Sequence, residues 1–196
     1  MGIKLVTPEG RISFPHIFSP KERDGQASKY ECALIIDKSN AADLISRYKR
    51  AVDALIAEKW PDESKRPKKY KQPLKDGDKA EDSGGNLLKE KYASYEGAYI
   101  LTARGVNKPG IVDASGQPII DPEEVYGGCY GRISVDLYAY HHSTGGPGIG
   151  CGLNHVLKTK DGDRFGADRS KAEDDFSDFL EGSSGSANVE AADDFL

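Results

Sequence analysis

The chain has 196 residues, 37% of them hydrophobic and 30% charged, with a formal net charge of −5. That fits one ordinary domain with a real core plus a tail, and no apolar run approaches the ~18–20 residues of a membrane span. The start has no apolar signal core, and Val6 stands where myristoylation needs Ser or Thr, so cytoplasmic residence is the default expectation.

Residues 11–18 and 29–36 are rich in β-branched and aromatic side chains between turn formers, which predicts two strands. The polar stretch between them, 19–28, reads as a loop. Residues 40–60 hold the one clear helix: Leu44, Tyr48, Val52 and Leu55, with Ile45 and Ile56 beside them, recur at helical spacing. Ser39 or Asn40 is placed to cap its start, and Pro61 ends it. Residues 61–85 are polar without periodicity and predict a long loop. Loops of that length are mostly functional or disordered.

From Leu87 to about Lys160 the pattern is β-rich. Residues 99–104 predict a strand, 111–120 two short strands around Ser115-Gly116, and 131–140 a strong strand. The glycine-rich run Gly145-Gly146-Pro147-Gly148-Ile149-Gly150 leads into a last strand over 149–158. It opens no helix, and no phosphate-loop or dinucleotide fingerprint occurs, so it reads as a hairpin connection. About six strands with a helix inserted after the second predict a mainly β fold, an OB-fold-like Greek-key barrel over residues 1–166. Residues 167–196 are expected to be a disordered acidic interaction tail. From Lys171 onward it holds one Lys and eight Asp or Glu, a charge of −7 within the chain's −5, which leaves +2 on residues 1–170. Asp174, Asp175, Phe176, Phe179, Asp193, Asp194 and Phe195 mark it as a partner-binding tail. A merely solubilising tail has no use for phenylalanine, and like-charge blocks at termini often serve as interaction tails.

Three stretches of the body interleave bases with aromatics. Along 131–140, period two puts Ile133, Val135, Leu137 and Ala139 on one face and Arg132, Ser134, Asp136, Tyr138 and Tyr140 on the other. The second face has the composition of a surface that stacks bases and neutralises phosphate, and equally that of an exposed barrel wall. Asp136 argues against a nucleic acid passing directly over it. Lys89, Lys91, Tyr92 and Tyr95 form the second stretch, and Lys65, Arg66, Lys68, Lys69, Tyr70 and Lys71 the third. Aromatic faces accept any base, and lysines add the salt-sensitive part. For 65–71 a plain solvated loop is the rival reading.

No metal or cofactor is expected. Cys32, Cys129 and Cys151 are odd in number and widely spaced, so they read as core residues and not as a disulfide framework. With His141, His142 and His155 they lack the close ligand pairs of a zinc site. No Gly-x-Ser-x-Gly elbow or His-Glu-x-x-His motif occurs, and the carboxylates are scattered, so no enzyme is expected.

These features together resemble the phage single-stranded-DNA-binding proteins of the podovirus type. The similarity is clearest from Ile111 to Phe179. There Val112-Asp113-x-x-Gly116, Gly127-Gly128, Arg132 to Tyr140, Gly145-Gly146, Leu153 to Val156, Gly166 and Glu173 to Phe179 occur in family order, and Lys91-Tyr92-Ala93-Ser94-Tyr95 adds a further match. The resemblance implies an OB-fold replication protein that binds single-stranded DNA without sequence preference. It places the family's basic and stacking residues on Arg132, Tyr140 and the segment 89–95. It also implies a tail that lies in the groove without DNA and contacts polymerase, helicase or nuclease partners. Related tails end in Phe, whereas here Leu196 follows Phe195. A monomer or homodimer in the cytoplasm of a host cell, with no membrane partner, completes the expectation. A strand-annealing recombination protein, a nuclease-type enzyme and a structural phage protein are the rival readings.

Overall fold

A computed structural model describes residues 2–23 and 26–166. The tail residues Asp174, Asp175, Phe176, Phe179, Asp193, Asp194 and Phe195 lie outside the described residues. In chain order the elements are β1 (Ile3–Val6), β2 (Gly10–Arg23), β3 (Gln26–Asp37), α1 (Ala42–Lys59), β4 (Leu74–Asp76), α2 (Leu88–Lys91), β5 (Ala98–Gly105), β6 (Gly110–Val112), β7 (Tyr130–His142) and β8 (Gly146–Lys160).

Five of these strands close a barrel. β2 pairs β3, β3 pairs β5, and β8 pairs β7, all antiparallel. β2 returns to β7 through Gly10↔Gly131 and Arg11↔Tyr130, and a parallel contact, Arg104↔Gly152, joins β5 to β8. This is a five-stranded Greek-key barrel of the OB type, with α1 inserted after its second strand as expected. β1 extends the β7 edge beside β2, and β6 lies along β8.

Alternation builds the core. Ile12 and Ile17 on β2, Cys32, Leu34 and Ile36 on β3, Leu101 and Ala103 on β5, Ile133, Val135 and Leu137 on β7, and Cys151, Leu153 and Val156 on β8 are all buried in one cluster. α1 adds Leu44, Tyr48, Ala51, Val52 and Leu55, the stripe its spacing predicts. Each fully buried Leu or Ile stabilises the fold by about 1.5–3 kcal/mol. The three cysteines are free and buried, and burial pushes the Cys32 and Cys151 thiols up to about 12.

Six local expectations change. Gly146 to Gly150 begin β8 and are not the hairpin connection, and of the two short strands expected over 111–120 only β6 forms, Pro118 making an isolated bridge with Val112. Residues 19–28 are not a loop: β2 runs through Arg23 and β3 starts at Gln26, with Lys21 opposite Lys29. Much of this arm is solvent-exposed, so its strands need no apolar alternation to betray them. α1 starts at Ala42, and neither Ser39 nor Asn40 caps it. Instead the Asp37 carboxylate accepts the Ser39 N–H at 2.7 Å and caps a preceding 3-10 turn. The long loop after α1 contributes the short strand β4. Residues 88–95 are helical turns, because Leu88, Tyr92 and Tyr95 stand at helical spacing and pack over Ala33, Ile35, Ala98 and Ile100 on the outer side of β3 and β5.

Candidate nucleic-acid interface

The outer face of β7 meets a row of glycines. Tyr138 stands opposite Gly150 and Tyr140 opposite Gly148. A β-carbon on Gly150 would lie 2.2 Å from Cζ of Tyr138, and one on Gly148 would lie 2.4 Å from Oη of Tyr140. Both rings are therefore laid flat on the β8 backbone, a pairing in which aromatic cover compensates for the missing glycine side chain. Their centroids are 6.4 Å apart, and Tyr138 is 45% exposed. Each ring thus has one face fixed and one turned outward. A ring already held in place loses little further freedom when a planar ligand stacks on it.

Glycine is required at these positions for space and not for torsion. The clashing atoms belong to side chains that can swing away. Gly150→Ala is therefore expected to leave the barrel folded while displacing Tyr138. Circular dichroism should be unchanged, and the affinity of any planar ligand that stacks on this ring should fall toward that of Tyr138→Ala. A Gly150→Ala protein that binds as the parent does would show that the ring's seat is irrelevant.

The basic flank comes from the loop after α1. Beyond Arg104↔Gly152 the strands β5 and β8 part, and residues 71–76 fill the seam. β4 pairs β5 through Leu74↔Leu101 to Asp76↔Tyr99. Lys71 forms a parallel bridge with Gly148, its N–H donating to the Pro147 carbonyl at 3.1 Å and its carbonyl accepting from Ile149 at 2.8 Å. Lys71 thus sits beside the glycine under Tyr140. Lys68 and Lys69 are exposed, with no acidic partner among the described residues. Arg104, 46% exposed, pairs with the Glu31 carboxylate across the sheet.

The rest of the 65–71 cluster serves other ends. Lys65 pairs with Asp62 at 3.2 Å, and Arg66 pairs with Glu63 at 3.0 Å while its Nε–H donates to the Trp60 carbonyl at 3.1 Å. These contacts fasten the turn after α1. Tyr70 lines a cleft of about 350 Å³ with Tyr48, Val52, Leu74 and Tyr99. Burial, and then the Asp53 charge, raise its hydroxyl pKa. It is not part of the Tyr138 wall.

Arg132 also stands apart. Its guanidinium donates to the Thr7 carbonyl at 3.3 Å, and eight residues of strand, about 27 Å, separate it from Tyr140. Asp136 has Lys4 and Gly152 as register partners. In the segment 89–95, Tyr92 is half-buried with Lys91 Nζ 5.5 Å from its ring centroid, while Lys89 faces Asp78 at 3.9 Å. Tyr95 is 7% exposed and lies 5.2 Å centroid to centroid from Tyr92. It has no free face to offer a base and instead supports Tyr92. His142 shapes the β7–β8 turn, its Nδ1 accepting from the Thr144 and Gly145 N–H groups at 3.3 and 3.2 Å.

Two groups escaped the sequence reading. The alternating Gly148, Gly150 and Gly152 were legible as a period-two run opposite the tyrosine strand. Arg11 was not. Its guanidinium lies 4.3 Å from the Phe165 ring centroid and 5.5 Å from that of Tyr130, and its Nε–H donates to the Gly128 carbonyl at 3.0 Å. No local signal links partners that far apart in sequence.

A closed five-stranded barrel, with pinned tyrosines on its outer wall and lysines at their side, defines an oligonucleotide-binding class of protein. Family comparison makes this specific. The chain belongs to the family of the ssDNA-binding protein of Enterobacter phage Enc34, whose family model matches residues 3–195. Protein p50 of Acyrthosiphon pisum secondary endosymbiont phage 1 is 29% identical over 174 residues, covering 83% of this chain and 86% of p50. The fold is similar to the single-stranded DNA-binding protein from bacteriophage Enc34 in complex with ssDNA, with a TM-score of 0.70 and 22% identity over 83% of this chain and 89% of that one. It is also similar to gp2.5, a single-stranded DNA-binding protein encoded by bacteriophage T7, with a TM-score of 0.59 and 16% identity over 95% and 100% of the two chains.

Proposed function

We propose that this protein binds single-stranded DNA without sequence preference in phage DNA replication and recombination, and acts by binding and not by catalysis. The observation that carries the reading is the pair Tyr138 and Tyr140 seated on Gly150 and Gly148 with their outer faces free. Bases stack there and on Tyr92, Lys68, Lys69, Lys71 and Lys91 neutralise phosphates, and Arg104, whose Nε–H is held by Glu31, offers phosphate its remaining guanidinium N–H groups. Arg132 and Lys89 contribute at the margins. Residues 1–166 form the binding domain. The acidic tail, 167–196, competes with DNA for the basic wall and offers its Asp-Asp-Phe sequences at 174–176 and 193–195 to replication proteins of the infected cell.

The test is fluorescence anisotropy with a labelled ~30-nucleotide single strand and its duplex, a length that exceeds the ~4–16 nucleotides an OB fold covers. The expected result is preference for the single strand, with log K falling by about 0.7 per engaged phosphate for each decade of salt. Deleting residues 171–196 is expected to tighten binding, most at low salt. Weaker binding on deletion would reject competition by the tail. No binding with or without the tail would reject the function, and consumption of the strand on adding Mg²⁺ would favour a nuclease.

A further inference from the structure

Phe14 occupies a position that its own strand pattern assigns to the core. Ile12 points inward and is fully buried, so alternation would send Phe14 inward as well. The strand does not follow that pattern. Ser13 pairs Ala33 and His16 pairs Glu31, so Phe14 and Pro15 together oppose Cys32 alone. This is a bulge, and at Ile17 the strand faces the core again. The bulge leaves Phe14 at φ +48, the left-handed region, where it is the only non-glycine residue with positive φ among those described. Its ring ends 43% exposed.

Pro15, with no N–H to give the β3 ladder, calls for a bulge at this point of β2, but the arrangement does not favour a phenylalanine at the turned-out position. It forgoes the burial of a large ring, adopts a backbone conformation that glycine takes freely, and leaves an aromatic surface in water. Bulges of this kind re-aim side chains beside functional sites. The ring is aimed at the second aromatic group. It meets Tyr92 edge-on at 5.7 Å and 83°, Tyr92 rests on buried Tyr95, and Lys91 lies over Tyr92. A register row links the two places: His16↔Glu31, Glu31↔Arg104, Arg104↔Gly152 and Gly152↔Asp136. It crosses the outer wall from the bulge to β7 with exposed Arg104 midway, about 19 Å at ~4.8 Å per strand.

We propose that Phe14, turned out by the β2 bulge against Tyr92, is a second base-stacking station for single-stranded DNA, on the far side of Arg104 from Tyr138 and Tyr140. The inference rests on the single-strand-binding function proposed above. The strand crosses the barrel wall between the stations, its phosphates passing Arg104.

Anisotropy with the same labelled ~30-nucleotide strand tests it, using Phe14→Gly, Phe14→Leu and Phe14→Trp beside Tyr138→Ala. Phe14→Gly removes the ring and suits the backbone, so its melting temperature should equal or exceed the parent's while affinity falls about tenfold, within the range for one stacked base. Phe14→Leu keeps apolar bulk against Tyr92 and should show a similar loss. Phe14→Trp should bind within about twofold of the parent, as expected when any aromatic face serves. If Phe14→Gly and Phe14→Leu both bind as the parent does while Tyr138→Ala weakens binding, the second station is overturned and the function stands. If the parent itself does not bind the single strand, the function falls and the station with it.

Discussion

Alanine at both Tyr138 and Tyr140 is expected to weaken binding of a ~30-nucleotide single strand by about 2–6 kcal/mol, from about 1–3 kcal/mol per stacked base. The melting temperature should stay within a few degrees of the parent's, because both rings lie outside the buried cluster. The loss should be nearly independent of salt. Stacking releases no counterions, whereas a lysine that meets phosphate does. Replacing Lys68, Lys69 and Lys71 should therefore give the opposite signature, a penalty that shrinks as salt rises. Phenylalanine at 138 and 140 keeps both faces and should retain most of the affinity. If phenylalanine costs as much as alanine, the hydroxyls matter and not the rings, and the platform is misassigned. If double alanine costs nothing in a folded protein, DNA takes another route.

The alternation along 131–140 placed the right side chains inward and outward, and the apolar stripe of α1 was equally plain, because each of these elements is half-buried and its sequence must record the fact. Elsewhere burial left no record. The β2–β3 arm is largely exposed, so its extended residues looked like a loop. Lys65 and Arg66 looked available for phosphate, although Asp62 and Glu63 three residues earlier were already in view as partners. Tyr95 stands with Tyr92 in the same interleaved stretch, but the segment turns helically and buries its ring beneath that of Tyr92. Arg132 and Tyr140 share a face, and alternation reports the face without the distance between them. The Phe14 bulge left one trace, Pro15 inside the strand, but a proline marks a bulge without saying which neighbour it turns outward. What the sequence hid lies mainly in long-range pairing and in one torsion.

The inner face of β7 makes the opposite prediction from its outer face. Leu137 is fully buried between Ile3 of β1 and Cys151 of β8 in register. Leu137→Ala is expected to cost about 2–5 kcal/mol, the lost transfer free energy plus the cavity left behind. At ~2–4 °C per kcal/mol for a domain of this size, the melting temperature should fall by roughly 4–20 °C. In urea the midpoint should drop with the slope unchanged. Affinity for single-stranded DNA, measured well below the new midpoint, should stay near the parent's. Strands pair with both edges of β7 at this position, so the backbone that carries Tyr138 and Tyr140 is held even when one side chain beneath it is gone. A fall of less than ~2 °C would mean that the core closes over the gap and Leu137 is not the support its burial indicates. A loss of affinity in the folded protein would mean that the seat of the tyrosines is set by packing from below as well as by the glycines of β8. In that case variants of Gly150 and Leu137 would not add, since both would act on the position of one ring.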